Sequence, residues 1–334
     1  MNSTPLVSVI ILNWNGKEYL GRCFDSLYQG TYQNFEIIFS DNVSTDGSIE
    51  FVRHQYPKIK IIEHDQHIGI TVAQNEAIRL AKGKYIFSFN NDTVADSHLL
   101  EELVKTAESD PSVGICGCKT VSYQGHHLLN AGVPLDIFGY PYGHGKPFYA
   151  DAATFIRKDV FDKVGGFDER FYIYREDIDL YWRVRLYGYK IKIVETAWFH
   201  HDSSCVLEKN TYATTDRKRF LSEAHTLCIL LKNYSLITLL AILPFYFLIN
   251  ILEILAFGFL KMKWKSPSAI HAKALRWNLK NMKTTWHLRK KIQRERIIGD
   301  WEILKVLQKT SGKMMLFREI GLPTVLARNS HYAN

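Results

Sequence analysis

Four short runs rich in β-branched and aromatic residues, Val7–Leu12, Phe35–Phe39, Ile59–Ile62 and Tyr85–Phe89, are separated by stretches with helical spacing. Between the first two runs, Lys17–Tyr28 puts Leu20, Cys23, Phe24 and Leu27 on one face; Ser48–His54 and Val72–Ala81 fill the remaining gaps. Strands alternating with helices predict an α/β fold with a mostly parallel sheet and helices on both faces. Every βα loop then emerges on one sheet edge. Three of these loops are polar: Asn13-Trp14-Asn15-Gly16, Ser40-Asp41-Asn42-Val43-Ser44-Thr45-Asp46-Gly47, and Asn90-Asn91-Asp92-Thr93. Open α/β sheets bind ligands outside the carboxyl ends of their strands. A carboxylate and amides there offer hard oxygen ligands to a divalent cation that is itself carrying phosphate. Each loop also reads as an ordinary turn or helix cap.

Two common uses of such a sheet are excluded by the first loop. It holds a single glycine, so the G-x-G-x-x-G fingerprint of dinucleotide binding is missing, as is the GxxxxGK[ST] phosphate loop. A sugar nucleotidyltransferase would need a glycine- and Lys/Arg-rich loop here, which Asn13-Trp14-Asn15 does not supply. At 334 residues, with 46% hydrophobic and 23% charged content, the chain is globular with room for one large domain or two. Its net charge of +8 comes mostly from Lys and Arg after residue 260, which argues for a local basic surface. The five cysteines (23, 116, 118, 205 and 228) form no CxxC pair, so a reduced, cytosolic setting is expected and a zinc site is not. Met1-Asn-Ser-Thr-Pro5 leads straight into a strand, and no signal peptide is expected.

In chain order, V-S-V-I-I-L-N-W-N, S-D-N-V-S-T-D-G-S, F-N-N-D-T, G-G-F-D-E-R-F-Y-I-Y-R-E-D-I-D-L and F-H-H-D-S-S resemble family 2 glycosyltransferases, nearest the bacterial and archaeal branch labelled rhamnosyltransferase-like. The resemblance runs from about Val7 to Cys205. It implies a GT-A fold over residues 1–215, with a nucleotide-binding half (1–95) and an acceptor-binding half (96–215). It implies that Asp41 accepts a hydrogen bond from a pyrimidine base, that Asn13 and Asn15 line the nucleoside pocket, and that Gly69 and Asn75 open and line the helix before the metal-binding strand. His67 stands where the family usually has Asn. Asn90-Asn91-Asp92 takes the place of the D-x-D metal motif, with Asn90 replacing the first acid; Asp92 and His200 would hold Mg²⁺ or Mn²⁺. Alignment on the preceding apolar residues favours His200 over His201, with Ser203 or Asp202 as its second partner.

Ile178, Tyr181, Trp182 and Arg185 share a helical face, which puts Glu176-Asp177 at a helix N-terminus, where ionised carboxylates are favoured. Acids in a first turn are equally ordinary without catalysis. The resemblance implies that Asp177 is the general base of an inverting transfer and that Glu176 supports the acceptor. Asp168, Glu169 and Asp179 read as capping acids or partners of Arg170 and Arg183. The stretch Val121–Pro147, rich in Gly, Tyr, His and Pro, reads as an irregular loop over the active site; its histidines, His126, His127 and His144, are given no role. Asp151 replaces the family's usual Gly, which either adds an acid near the sugar or reshapes a turn.

Leu236–Leu260 is almost wholly apolar, broken by Pro244, Asn250 and Glu253, and long enough to cross a bilayer. The lysines and arginines that follow argue against a simple crossing from the cytosol. Pro244 is expected to divide the stretch into two interfacial pieces. Leu275, Leu279, Met282 and Trp286 stripe an otherwise basic helix, as in helices that lie on anionic membranes; a core helix pair or a homodimer interface is the alternative. Residues 216–299 are therefore expected to be membrane-associated and 300–334 to be a helix and tail. The expected function is sugar transfer from a UDP- or dTDP-linked donor to a saccharide or lipid-linked acceptor, at the cytoplasmic face of the membrane. A non-catalytic membrane scaffold that binds nucleotide sugar is the alternative, supported by Asn90 alone. Nucleic acid is not an expected partner, since no base-reading motif accompanies the basic tail.

Overall fold

The series opens with β1 (Val7–Asn13), α1 (Lys17–Tyr28), β2 (Phe35–Asp41), α2 (Ser48–Gln55), β3 (Lys60–Glu63), α3 (Ile70–Arg79) and β4 (Tyr85–Phe89). The computed structural model describes residues 4–122, 128–143, 146–149, 153–201, 213–259, 267–321 and 324–325. Burial of Leu20, Cys23, Phe24 and Leu27 fixes α1 on the sheet, as their spacing predicts. β3, β2, β1 and β4 lie side by side in that order, all parallel. The chain thus steps outward from β1 in one direction and then returns to its other side with β4. That reversal opens a crevice beyond the carboxyl ends of β1 and β4.

Beyond β4 come β5 (Thr93–Ala95), α4 (Leu99–Ser109), β6 (Val113–Ser122), β7 (Leu128–Asn130), β8 (Ala153–Arg157), α5 (Lys158–Val164), α6 (Glu176–Leu186) and β9 (Lys190–His201). Here the sheet is mixed rather than mostly parallel. β8 runs antiparallel between β4 and β6, β9 is parallel to β6, and β5 closes the edge antiparallel to β9. An apolar run such as that of β8 fits a buried strand of either direction, so its orientation is not written in its pattern. Phe87, Phe89, Phe155 and Phe199 knit these strands into the core.

Two ion pairs hold the segment before α6 and the helix itself. Arg170 grips Asp168 at 2.6 Å, and Arg183 grips Asp179 at 2.9 Å with both side chains buried. Glu169 instead reaches Arg79 and Asn75. Removing one partner of a buried pair strands the other charge, so Asp179→Ala is expected to cost about 3–5 kcal/mol, read as a lowered midpoint in chemical denaturation.

The chain divides into two compact units, Met1–Val133 with Pro147–Ser204, and Pro134–Lys146 with Cys205–Asn334. Within the second, Asp136 accepts hydrogen bonds from the N–H groups of Phe138, Tyr140 and Gly312, tying residues 134–146 to the C-terminal helices. Those helices are α7 (Asp216–Asn233), α8 (Leu236–Phe259), α9 (Pro267–Lys280), α10 (Met282–Glu295), α11 (Asp300–Val306) and α12 (Gly312–Ile320), with a short parallel pair, β10 (Ala213–Thr214) and β11 (Thr324–Val325). Arg289 caps α7 by donating to the carbonyls of Leu231 and Tyr234. Pro244 does not divide the apolar stretch: α8 is continuous through it. Proline lacks one donor and crowds the preceding turn, and here it sits on the exposed face, where a helix tolerates that loss best. The side chains of Cys23, Cys116, Cys118 and Cys228 are buried. His126, His127, His144, Asp151, Asp202, Ser203 and Cys205 lie outside the described residues.

Candidate functional site

The three polar loops meet in the crevice between β1 and β4. Asn13 is the hub: its Nδ2 donates to Asp41 Oδ2 at 2.9 Å and to Ser44 Oγ at 3.0 Å, and its Oδ1 accepts from Asn91 Nδ2 at 2.7 Å. Asp41 is fully buried at the end of β2, and its Oδ1 accepts from the Ser44 N–H at 2.7 Å. Asn15 closes the ring, donating its N–H to Ser44 Oγ and accepting from the Thr45 N–H. A buried carboxylate held by several donors is a preorganised acceptor. Gly16 makes room for this ring, since a Cβ there would overlap the Asn91 amide and come within 2.7 Å of Asn13 Oδ1. At the mouth of α1, burial would raise the Asp46 carboxyl, but hydrogen bonds from Ser48 and the Lys17 N–H bring it below its usual range. Cys23 lies under the crevice, where burial pushes its thiol up to about 12 and removes it as a nucleophile.

Asn90 is exposed at the end of β4, and its carbonyl is held by Thr93 and Cys23. Asp92 follows, and the histidine beside it is His201, not His200. His201 Nε2 stands 3.2 Å from Asp92 Oδ1, whereas His200 turns to the other face, with Nδ1 3.1 Å from the Ser122 carbonyl and its ring against Trp198. Strand alternation gives the reason: Phe199 faces the core against Phe89, and a residue two further along shares its face. The signal was in the sequence, in the period of two counted from buried Phe199.

Residues 67–69 form a second wall. Asn42 holds this loop, its Oδ1 accepting from the Ile68 N–H and its Nδ2 donating to the Gly69 carbonyl. His67 stacks on Tyr172 at 5.5 Å, hydrogen-bonds to its hydroxyl, and meets the edge of half-exposed Trp14 at 5.3 Å. Gly69 opens α3 at φ +82°, and a Cβ there would stand 2.6 Å from the Tyr172 ring. Gly69→Ala is expected to cost about 1–3 kcal/mol from backbone strain alone, seen as a lower thermal midpoint. Asn75 does not line the crevice with a spare amide. It brackets Phe167, accepting from its N–H at 3.0 Å and donating to its carbonyl at 2.9 Å.

Tyr174 and Arg175, at φ +71° and +72°, then deliver the chain into α6. With Asn15 and Val43 they are the non-glycine residues in left-handed conformation among the described residues, and all four sit in these loops. Such strain persists only where the surroundings over-determine it, and it gathers at ligand sites. Glu176, Asp177 and Asp179 occupy the first turn of α6, where the helix dipole favours their ionised forms. Asp177 Oδ1 accepts from the Ile178 N–H at 2.7 Å.

Residues 8–165 match the model of glycosyl transferase family 2, a stretch that takes in the crevice between β1 and β4. Residues 8–165 are those of a family 2 glycosyltransferase domain. It is 29% identical over 229 residues to the O-antigen biosynthesis protein RfbC of Myxococcus xanthus, a match covering 61% of this chain and 18% of that one. It is 27% identical over 209 residues to an uncharacterized glycosyltransferase of Rickettsia prowazekii, covering 60% and 62%. In both, the chain spans less than two thirds of the relative. Among solved structures it resembles a mannosyltransferase of Pyrobaculum calidifontis in complex with GDP-Man and Mn²⁺, with a TM-score of 0.53 at 16% identity, over 90% of this chain and 88% of that one. The fold is GT-A.

Among the described residues, the closest gathering of acidic and imidazole side chains lies outside this crevice. In the second unit, ligand atoms of Glu223, Glu253 and His271 lie within 4.8 Å of one another. The Lys313 ammonium already fills the cation's place there, 2.6 Å from a carboxylate oxygen of each glutamate and 2.8 Å from Asn250 Oδ1. Arg219 grips the other oxygen of Glu253 at 2.6 Å. The cluster is a charge-balanced knot of α7, α8, α9 and α12.

Proposed function

We propose that the chain is a metal-dependent inverting glycosyltransferase, taking a sugar from a UDP- or dTDP-linked donor to a saccharide or lipid-linked acceptor in cell-surface glycan synthesis at the cytoplasmic face of a membrane. The observation that carries the reading is the convergence of Asn13, Asp41 and Asn91 at the crevice of the matched residues 8–165, with Asp92 paired there to His201 from β9. Asp41 and its ring would receive the base and nucleoside, with Asn15 and Gly69 in the flanking loops. Asn90, exposed two residues before Asp92, would offer the donor an amide in place of an acid.

The donor set suits a divalent cation. Asp92 supplies a hard oxygen and His201 an imidazole nitrogen 3.2 Å apart, and the two would hold Mg²⁺ or Mn²⁺ together with water and substrate phosphate. When bound, the ion neutralises charge on the departing diphosphate. The chain's own part is positioning and proton transfer. Asp177 removes the proton from the acceptor hydroxyl as its oxygen bonds to the anomeric carbon, while the bond to the diphosphate oxygen breaks on the opposite face. Glu176 holds the acceptor. The relative named for O-antigen biosynthesis and the mannosyltransferase in complex with GDP-Man and Mn²⁺ support this assignment of chemistry. Incubating the protein with a panel of nucleotide sugars and Mn²⁺, with release of nucleoside diphosphate as the readout, tests it. Turnover of at least one donor is expected, with stereochemical inversion at the anomeric carbon; retention would refute the single-displacement mechanism.

A further inference from the structure

We propose that the outer face of α8 lies flat in one leaflet of a bilayer bearing anionic headgroups, so that the helix neither crosses the membrane nor packs on another protein. This deepens the membrane placement proposed above and rests on it, but not on the transfer chemistry.

Leu236–Ala256 has a mean hydropathy of 2.2 and is only 17% buried, so length and composition alone would permit a crossing. The distribution of side chains around the helix decides otherwise. Ile237, Leu240, Leu248, Ile251 and Leu255 recur at helical spacing along one exposed stripe, which Phe245 and Leu252 widen. Ile237 is 82% exposed. The opposite stripe, Leu239, Tyr246, Asn250 and Glu253, is packed into the second unit over the same length. Tyr246 stacks on Tyr140, Asn250 accepts from the Tyr140 hydroxyl and from Lys313, and Glu253 pairs with Arg219 and Lys313. The helix therefore runs along its unit rather than away from it.

A crossing would carry that unit along. Arg219, Glu223 and Lys313, and the exposed Lys273, Arg276 and Lys280 of α9, which packs against α8, would enter hydrocarbon. Charged side chains are strongly disfavoured at the bilayer centre. Laid flat, the same unit keeps these groups in water and headgroups and sinks only the apolar half-cylinder.

Two observations select lipid as the occupant. Among the described side chains of α8 none that is polar is exposed, whereas protein interfaces are only roughly 60% apolar. The neighbouring α9 and α10 expose Lys273, Arg276, Lys280, Lys283, Lys290 and Lys291 with Leu275, Leu279 and Trp286 among them. Their one acid, Glu295, is already bridged by Arg294. Cations interleaved with large apolar side chains match an anionic interface.

The test uses the full chain with phosphatidylcholine vesicles, with and without phosphatidylglycerol. Flotation is expected with both lipids present, to fall severalfold in Lys280→Glu/Lys283→Glu, and to vanish in Leu240→Glu/Leu248→Glu, whose exposed positions leave folding intact. Fluorophores on cysteines introduced at Ile237, Leu248 and Leu255 should report one shallow depth by lipid quenching. Depths graded through the bilayer centre would overturn the proposal in favour of a crossing. A dimer in solution that Leu248→Glu dissolves, with no flotation, would overturn it in favour of a second copy. Donor turnover is read separately, so its loss with flotation intact refutes the transfer reading and leaves this one standing.

Discussion

Asp177→Asn is expected to lower sugar transfer by about 10²–10⁴-fold while leaving the donor KM within about twofold. Asparagine keeps the size of the side chain and the oxygen that accepts from the Ile178 N–H, so the first turn of α6 stays intact. What it loses is the ability to take a proton. The effect therefore belongs in kcat, not in donor binding or in the thermal midpoint. Asp179→Asn would serve as the control with the opposite signature. Asp179 is buried in an ion pair with Arg183, so its loss acts on stability first. Steady-state kinetics of the two variants beside denaturation curves separate a base from a structural acid. Wild-type turnover in Asp177→Asn would remove the base assignment.

Asp92→Ala is expected to reduce transfer by about 10²–10³-fold, the rate equivalent of a few kcal/mol of charge stabilisation on the leaving diphosphate. The same change removes the partner of His201, so His201→Ala should move activity in the same direction. His200→Ala should leave most of the activity, because its ring lies on the other face of β9 against Trp198. Metal titrations of the three variants give the readout: the Mn²⁺ concentration for half-maximal rate rises in Asp92→Ala and His201→Ala and stays put in His200→Ala. A loss confined to His200→Ala would return the role to the residue that alignment on the apolar run favours.

That one-residue difference shows where the sequence was informative and where it was not. The run from β1 to β4 was readable because each element carries its own period: α1 spans Lys17–Tyr28 and β4 spans Tyr85–Phe89, as spacing predicts. The polar loops could be placed on one edge because parallel strands leave no other choice. Past β4 the chain stops obeying that rule. The direction of β8, inserted antiparallel between β4 and β6, is set by its partners and not by its own apolar run. Asn75 was legible as a residue that matters but not as a brace for Phe167, because a contact so distant in sequence leaves no local trace. Asp179 was readable as the partner of Arg183 because residues four apart share a helix face, and Asp168 as the partner of Arg170 because the two lie in one short turn. Pro244 misled for a physical reason: one missing donor on an exposed face weakens α8 without breaking it.

The most direct test of a metal-assisted donor site between β1 and β4 is thermal stabilisation of the purified protein by nucleoside diphosphates, with and without Mn²⁺ or Mg²⁺. A pyrimidine diphosphate is expected to raise the midpoint only when the metal is present, and the rise should disappear in Asp92→Ala. No response to any nucleotide, or an equal response without metal and in Asp92→Ala, would contradict the site.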